Sequence, residues 1–341
     1  MSRKMPAEPT PPRRATLRDV ARAAGVSVWT VSNAYSNPDR VATATRERVL
    51  ATAAAVGYAG PDPVARSLAT GRTRIVALHA DGAAEPLLAD PAASLVARGL
   101  VRACDRAGVS LLLSGAPGTA AVDGAVLFRV LPPERSPHPV VVVDAPPVPG
   151  LTVLRADVRG AAARAAAHLR DLGHRDLVVL AWPGCGERLD GVRDGWGASG
   201  PIQVFMAGDP QGHHAREAGP DAGRRAVGPT RADTEIAARV ALAREPRPTA
   251  ILALNDLLAR VVLDTARWTG LDVPRDLSVV GLDDLPGSDT LGLTAAFVPY
   301  EPLGELAGAT LSVLVDGGEP DVPPPLPTDL VLRATTGPPP A

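Results

Sequence analysis

Apolar positions recur at helical spacing near the start of the chain and as short continuous runs further on. Leu17, Val20, Ala21 and Ala24 fall three and four apart, which puts them on one face of a helix. Thr16 ahead of them and Asp19 three positions later match a capping box. Gly25 supplies a residue that accepts positive φ where that helix must stop. Ser27 is positioned to cap a second helix with Val31 and Tyr35 inward, leaving Val28, Trp29, Ser32 and Asn33 largely outward. A third helix is expected over 43–56, with Val49, Ala53 and Val56 on one face and Gly57 at its end. A helix-turn-helix reads base edges in the major groove from the start of its second helix. An ordinary helical hairpin gives the same pattern, and the pattern alone leaves both open.

Beyond residue 74 the pattern changes to apolar runs of four to six residues separated by helical stretches. Strands are expected over 75–79, 109–113, 124–128, 140–143, 177–182, 202–205, 250–254 and 278–282, and helices over 92–107, 157–172, 187–198, 232–243, 257–269 and 302–315. Runs without alternation suit strands buried on both faces, and their alternation with helices argues for parallel sheets. Two such layers in tandem make a two-lobed body, whose ligands bind beyond the carboxyl ends of the strands. Asp144, Asn255-Asp256 and Asp283-Asp284 stand at those ends.

Charge sharpens the division. Residues 1–74 carry 12 Lys and Arg against 5 Asp and Glu, whereas the remainder carries 23 against 32. A basic head on an acidic body fits a head that meets phosphates. The two cysteines, Cys104 and Cys185, lack metal-ligand spacing and point to a reducing cytoplasm. No apolar run approaches the roughly 18 residues that span a membrane. The first 14 residues lack the apolar segment of a signal peptide and read as a disordered basic arm.

With these residues in view, the chain resembles the lactose-repressor (LacI/GalR) family of bacterial transcription regulators. The head carries TLRDVARAAGVSVWTVSNAY, VATATRERVLATAAAVGY and the hinge-like VARSLATGRT. The body carries VDGAVL, PVVVVD, HLRDLGHRDLVVLAWPG, RLDGVRDGW, PTAILALND, GLDVPRDLSVVGLDD, LTAAFVPYEPLGELA and LPTDLVLRATTGP. The resemblance runs from Thr16 to Gly337. It implies an all-α three-helix head over 15–59, a linker and hinge helix over 60–72, and an α/β core like a periplasmic binding protein. In that core a first lobe spans 73–155 and a second 156–298; residues 299–326 return to the first, and 327–341 give the second its last strand and a tail.

By motif position, the resemblance implies base reading by Val28, Trp29 and Asn33, and phosphate contacts by Thr16, Ser27, Thr30, Ser32 and Tyr58. Asn can pair with adenine and Trp29 can meet a thymine methyl. Leu68 matches a leucine that wedges into the minor groove. Asp144, Arg188, Asn255, Asp283 and Tyr300 match an effector site between the lobes; Asn255 and Asp283 could equally cap the helices after them. The implied partners are a DNA operator, a second copy of the chain and a small sugar-like or nucleoside-like effector, with no membrane, metal or cofactor and no catalysis.

Four departures matter. Family members commonly carry arginine where Asn33 stands. One extra residue separates Tyr58 from Leu68. Trp182 is unusual at its strand end. The stretches 114–121 and 129–138 are too short for the helices expected in the first lobe, so a regulator with a degenerate pocket stays open. A soluble sugar receptor or an enzyme on the same core is a third reading, with the basic head against it. No Walker loop or G-x-S-x-G elbow occurs, Gly184-Cys185-Gly186 lacks a third glycine, and His213-His214 sits in a Gly-rich polar stretch.

Overall fold

The computed structural model describes residues 15–36, 38–60, 67, 71–80, 89–115, 121–132, 136–208 and 230–340. The arm over 1–14, Leu68, and His213 and His214 lie outside the described residues. The chain divides into two compact units, Met1–Thr73 and Arg74–Ala341.

In the first unit, helices α1 (Leu17–Ala24), α2 (Val28–Ser36) and α3 (Thr43–Ala55) enclose Val20, Ala21, Ala24, Val31, Ala34, Val49 and Ala53. The capping box forms: the Thr16 backbone amide donates to Asp19 Oδ2 at 3.0 Å and its hydroxyl at 2.7 Å. Gly25 ends α1 with φ 65°, a conformation open to glycine at no steric cost. The Thr30 amide donates to Ser27 Oγ at 3.0 Å, so Ser27 caps α2. The Tyr35 and Tyr58 rings meet edge to face at 5.9 Å and close the core.

The second unit holds two sheets. The first contains β1 (Ile75–His79), β2 (Ser110–Ser114), β3 (Gly124–Phe128), β4 (Val140–Val143) and β5 (Thr152–Leu154), in the order β2-β1-β3-β4-β5 and parallel throughout. The second contains β6 (Leu177–Ala181), β7 (Ile202–Met206), β8 (Ala250–Ala253), β9 (Ser278–Asp283), β10 (Thr294–Phe297) and β11 (Asp329–Val331). Its order is β11-β10-β9-β8-β6-β7, parallel except for the β11 edge. Neither β5 nor β10 was expected as a strand. The first is three residues long and the second is half alanine, so pairing with neighbours rather than propensity makes them strands.

Helices α4 (Pro91–Ala107) and α9 (Tyr300–Val315) share one core with the first sheet. The other face of that sheet has its own cluster, Ala77, Ala125, Leu127, Val142 and Ala145, to which no helix among the described residues contributes. Helices α5 (Val158–Asp171) and α6 (Gly186–Trp196) pack on one face of the second sheet, α7 (Arg231–Leu242) and α8 (Asp256–Trp268) on the other. The helix pairs α4/α9 and α5/α6 cross closely because glycine lies at each crossing. A Cβ on Gly304 would fall 2.0 Å from the Val96 carbonyl oxygen, and one on Gly195 1.9 Å from that of Ala163.

Three stretches pass between the two sheets: from β5 into α5, from β10 into α9, and the return to β11, where Leu326 and Arg155–Asp157 exchange backbone bonds of 2.8 and 2.9 Å. The carboxyl ends of β3, β4 and β9 and the start of α9 border these passages.

Candidate functional site

In the head, α2 turns Val28 and Trp29 outward, 43% and 64% exposed. Thr16 and Ser27 are exposed, and Thr30, Ser32 and Tyr58 are half-buried. Asn33 corrects the outward assignment: it is 6% exposed, and its side-chain amide donates to the Trp29 carbonyl at 3.1 Å. The second half of α2 is flanked by α3 and by a 3-10 turn over Pro38–Arg40, so helical spacing alone misjudged which positions stay open. The outer row of this helix start is therefore Val28 and Trp29, bordered by Ser27, Thr30 and Ser32.

In the body, four of the five effector-site candidates converge on one network. Tyr300, the first residue of α9, donates its hydroxyl to Asp283 Oδ1 at 2.9 Å. Arg188, on α6, donates to the same hydroxyl oxygen at 2.9 Å, lies 2.8 Å from Asp283 Oδ1, and reaches the Leu254 carbonyl at 2.6 Å. Its guanidinium stands 5.6 Å from the Trp182 ring, which accounts for the unusual tryptophan as an apolar support. Asp144, after β4, accepts from Arg129 Nε at 2.7 Å.

Arg129 was missed by sequence reasoning and ties the two halves together. Besides Asp144 it bonds Asp90 Oδ2 at 3.2 Å and donates to the Tyr300 hydroxyl at 2.8 Å. Its guanidinium carbon is 4.5 Å from the Phe128 ring centroid and 5.5 Å from that of Tyr300. The signal was available: Arg129 follows β3 directly, as Asp144 follows β4, and a carboxyl strand end is what singled out Asp144. Asp90 was missed as well; its other oxygen caps α4 ahead of Pro91, accepting from Ala92 N at 2.8 Å.

Asn255 stands apart from this network. Its Oδ1 caps α8 through the Leu258 amide at 2.8 Å, which leaves the amide nitrogen as the group able to meet a ligand. Asp283 caps no helix; Arg188 and Tyr300 hold it.

Backbone strain gathers here. Arg129, Asp144, Asp283 and Asp284 all have positive φ, at 58°, 57°, 106° and 52°. Each such non-glycine conformation costs about 1–3 kcal/mol and persists only where its surroundings enforce it. Asp284 is gripped by Arg333 through two bonds of 2.6 and 3.1 Å, and the Leu285 amide donates to Asp256 Oδ2 at 2.7 Å.

The electrostatics follow from burial against pairing. Burial works to raise the Asp144 pKa, yet the Arg129 and Arg188 charges outweigh it and hold the carboxyl below its ordinary value. Burial pushes Asp283 up even with Arg188 and Arg129 opposing. Asp256 is fully buried, its Oδ1 has no partner, and burial together with the Asp283 charge lifts its pKa from 3.8 to about 7.

A raised folded-state pKa means that Asp256 favours the fold most at low pH. That contribution is present below pH 4 and is lost as pH rises to about 7. At about 1.4 kcal/mol per unit the loss approaches ~4 kcal/mol. Asp256→Asn is expected to close the gap: its melting temperature should match the wild type at pH 4 and exceed it at pH 8. The lowered pKa values of His138, His168 and His174, each driven by burial, act in the opposite sense. The difference between the two proteins across a pH series of thermal melts isolates Asp256. Equal melting temperatures at pH 8 would refute the assignment.

Residues 16–60 match the family described as bacterial regulatory proteins, lacI family, and residues 166–336 match a periplasmic binding protein-like domain. An HTH-type transcriptional regulator of Mycobacterium tuberculosis is 37% identical over 97% of this chain and 99% of its own length. Among solved structures, the transcriptional regulator CelR in complex with cellobiose is 26% identical, with a TM-score of 0.62 over 94% of this chain and all of that one. The lac repressor dimer bound to operator and the anti-inducer ONPF shares the fold, at 23% identity and a TM-score of 0.75 over 95% of this chain and all of that one.

Proposed function

The chain belongs to the lacI family of bacterial regulatory proteins and is a DNA-binding transcriptional regulator; from that premise we propose that a small neutral polyhydroxylated effector, entering between the two sheets of the body, sets its affinity for an operator. The observation that carries this reading is the convergence of Asp144, Arg188, Asp283 and Tyr300 from separate elements onto one hydrogen-bonded network. Guanidinium and carboxylate groups suit paired hydroxyls, and the half-buried Trp182 ring offers such a ligand an apolar wall.

The charge count argues against a phosphorylated ligand. Asp90, Asp144, Asp283 and Glu187 outnumber Arg129, Arg188 and Arg155, and each arginine already has a carboxylate partner. A thermal-shift screen of hexoses, polyols and nucleosides against their phosphates tests the class. A neutral compound should raise the melting point and change operator affinity, with its phosphate inert. Stabilisation by phosphates alone would overturn it. Stabilisation by none of them would favour the second reading, an effector-independent regulator, which the mutual pairing of the site's own donors supports.

On DNA, the head acts through Val28 and Trp29 on base edges and through Thr16, Ser27, Thr30, Ser32 and Tyr58 on phosphates, as a homodimeric repressor in the cytoplasm. Trp29→Ala should weaken binding to the selected operator roughly tenfold, about 1.4 kcal/mol, while leaving affinity for random DNA nearly unchanged. Fluorescence anisotropy on the two duplexes measures both. An equal loss on both would assign Trp29 to general affinity or folding.

A further inference from the structure

We propose that the start of α2 selects its operator through thymine 5-methyl groups, met by Val28 and Trp29, and not through hydrogen bonds to base edges. The inference rests on the DNA-binding reading above and names what that site takes. The whole of α2, VWTVSNAYS, carries no charged residue and no glutamine. It therefore lacks the arginine, lysine, glutamine and carboxylate side chains that pair with bases from a recognition helix. Asparagine is the remaining residue type able to pair in this way. Asn33 is buried, and its side-chain amide donates to the Trp29 carbonyl at 3.1 Å.

Other polar groups of α2 and its cap bond locally. The Ser27 and Thr30 hydroxyls bond each other at 2.8 Å, and the Ser36 hydroxyl donates to the Ser32 carbonyl at 2.7 Å. Toward solvent the Ser32 hydroxyl and the Trp29 indole N–H remain, and neither discriminates. Every base pair offers a purine N7 to a lone N–H donor, and a hydroxyl can donate or accept. What the first two positions of the helix do offer is exposed apolar surface, from Val28 and Trp29. The thymine methyl is the apolar group of the major groove. A·T pairs whose thymine faces these two residues are therefore the ones α2 selects.

The test uses the full wild-type chain and the duplex enriched from a random pool, titrated by fluorescence anisotropy. Thymine is replaced by uracil at one position of one half-site at a time, which removes only the methyl. One or two positions should each lose roughly fourfold in affinity, the equivalent of one apolar carbon left in water. At those positions a 5-methylcytosine·guanine pair should bind better than cytosine·guanine by a similar factor, because it restores the methyl while the polar edge stays changed. Replacing the paired adenine by 7-deazaadenine should cost nothing there. Trp29→Ala should bind the thymine and uracil duplexes alike at one or more of these positions.

The wild-type chain carries every DNA series, so nothing depends on the folding of a variant. A preferred duplex indifferent to every thymine-to-uracil change would overturn the methyl reading. Affinity lost to 7-deazapurines in its place would move base reading to an exposed arginine of the head, such as Arg18, Arg22 or Arg40. A chain that prefers no duplex over scrambled DNA would sink the operator reading itself, and the methyl reading with it.

Discussion

Gly304→Ala is expected to destabilise the body by about 3 kcal/mol, the upper range for overpacking a close contact. In isolation the change favours a helix, since alanine exceeds glycine in helix propensity by about 1 kcal/mol. Geometry reverses the sign. The added methyl would sit 2.0 Å from the Val96 carbonyl oxygen and 2.8 Å from its carbonyl carbon, and a backbone cannot swing aside as a flexible side chain can. The partner helix is built the same way, with Gly99 against the Glu301 carbonyl. Relief requires α4 and α9 to separate, and α9 starts at Tyr300, so the site loosens with the core. Urea denaturation gives the loss directly; Gly317→Ala, at an open position with φ 78°, is a milder control. A Gly304→Ala protein as stable as the wild type would refute the close crossing.

Arg188→Ala is expected to be as damaging, by about 3–5 kcal/mol, because it leaves a buried carboxylate without its cation. Arg188 and Asp283 are 8% and 5% accessible and stand 2.8 Å apart. The truncation also orphans the Leu254 carbonyl, which accepts from Arg188 at 2.6 Å, and removes the cation beside Trp182. The double variant Arg188→Ala with Asp283→Asn should recover part of the loss, since the charge that suffers is then gone. Stability curves for the two single variants and the double give the coupling. Additive losses would mean that the two residues act independently, against the network described above.

Much of this molecule is legible in its residues, for reasons that differ by region. Runs such as Val140–Val143 and Leu177–Ala181 read as strands because they are apolar, branched and bounded by turns. The short β5 and alanine-rich β10 did not, because their strand character comes from neighbours distant in sequence. The head was readable through local chemistry: Thr16 with Asp19, Gly25 and Ser27 act within a few residues of themselves.

The site was readable only in part. Strand ends marked Asp144 and Asp283, and motif resemblance added Arg188 and Tyr300, but neither could say that they would join one network. Arg129 and Asp90 lay outside the motif positions, although a strand end and a helix start marked both. Asn33 was misjudged because spacing on a helix gives an angle and not what packs beside it. For Asn255 the structure shows the cap, through its oxygen on the Leu258 amide.

All of this regulation depends on the head recognising a DNA sequence. Selection of bound sequences from a random duplex pool, followed by anisotropy titration of the full chain at physiological salt, tests it most directly. An enriched, roughly palindromic site is expected, bound at least about 10³-fold more tightly than a scrambled duplex of equal length. Equal affinity for the enriched and scrambled duplexes would contradict it.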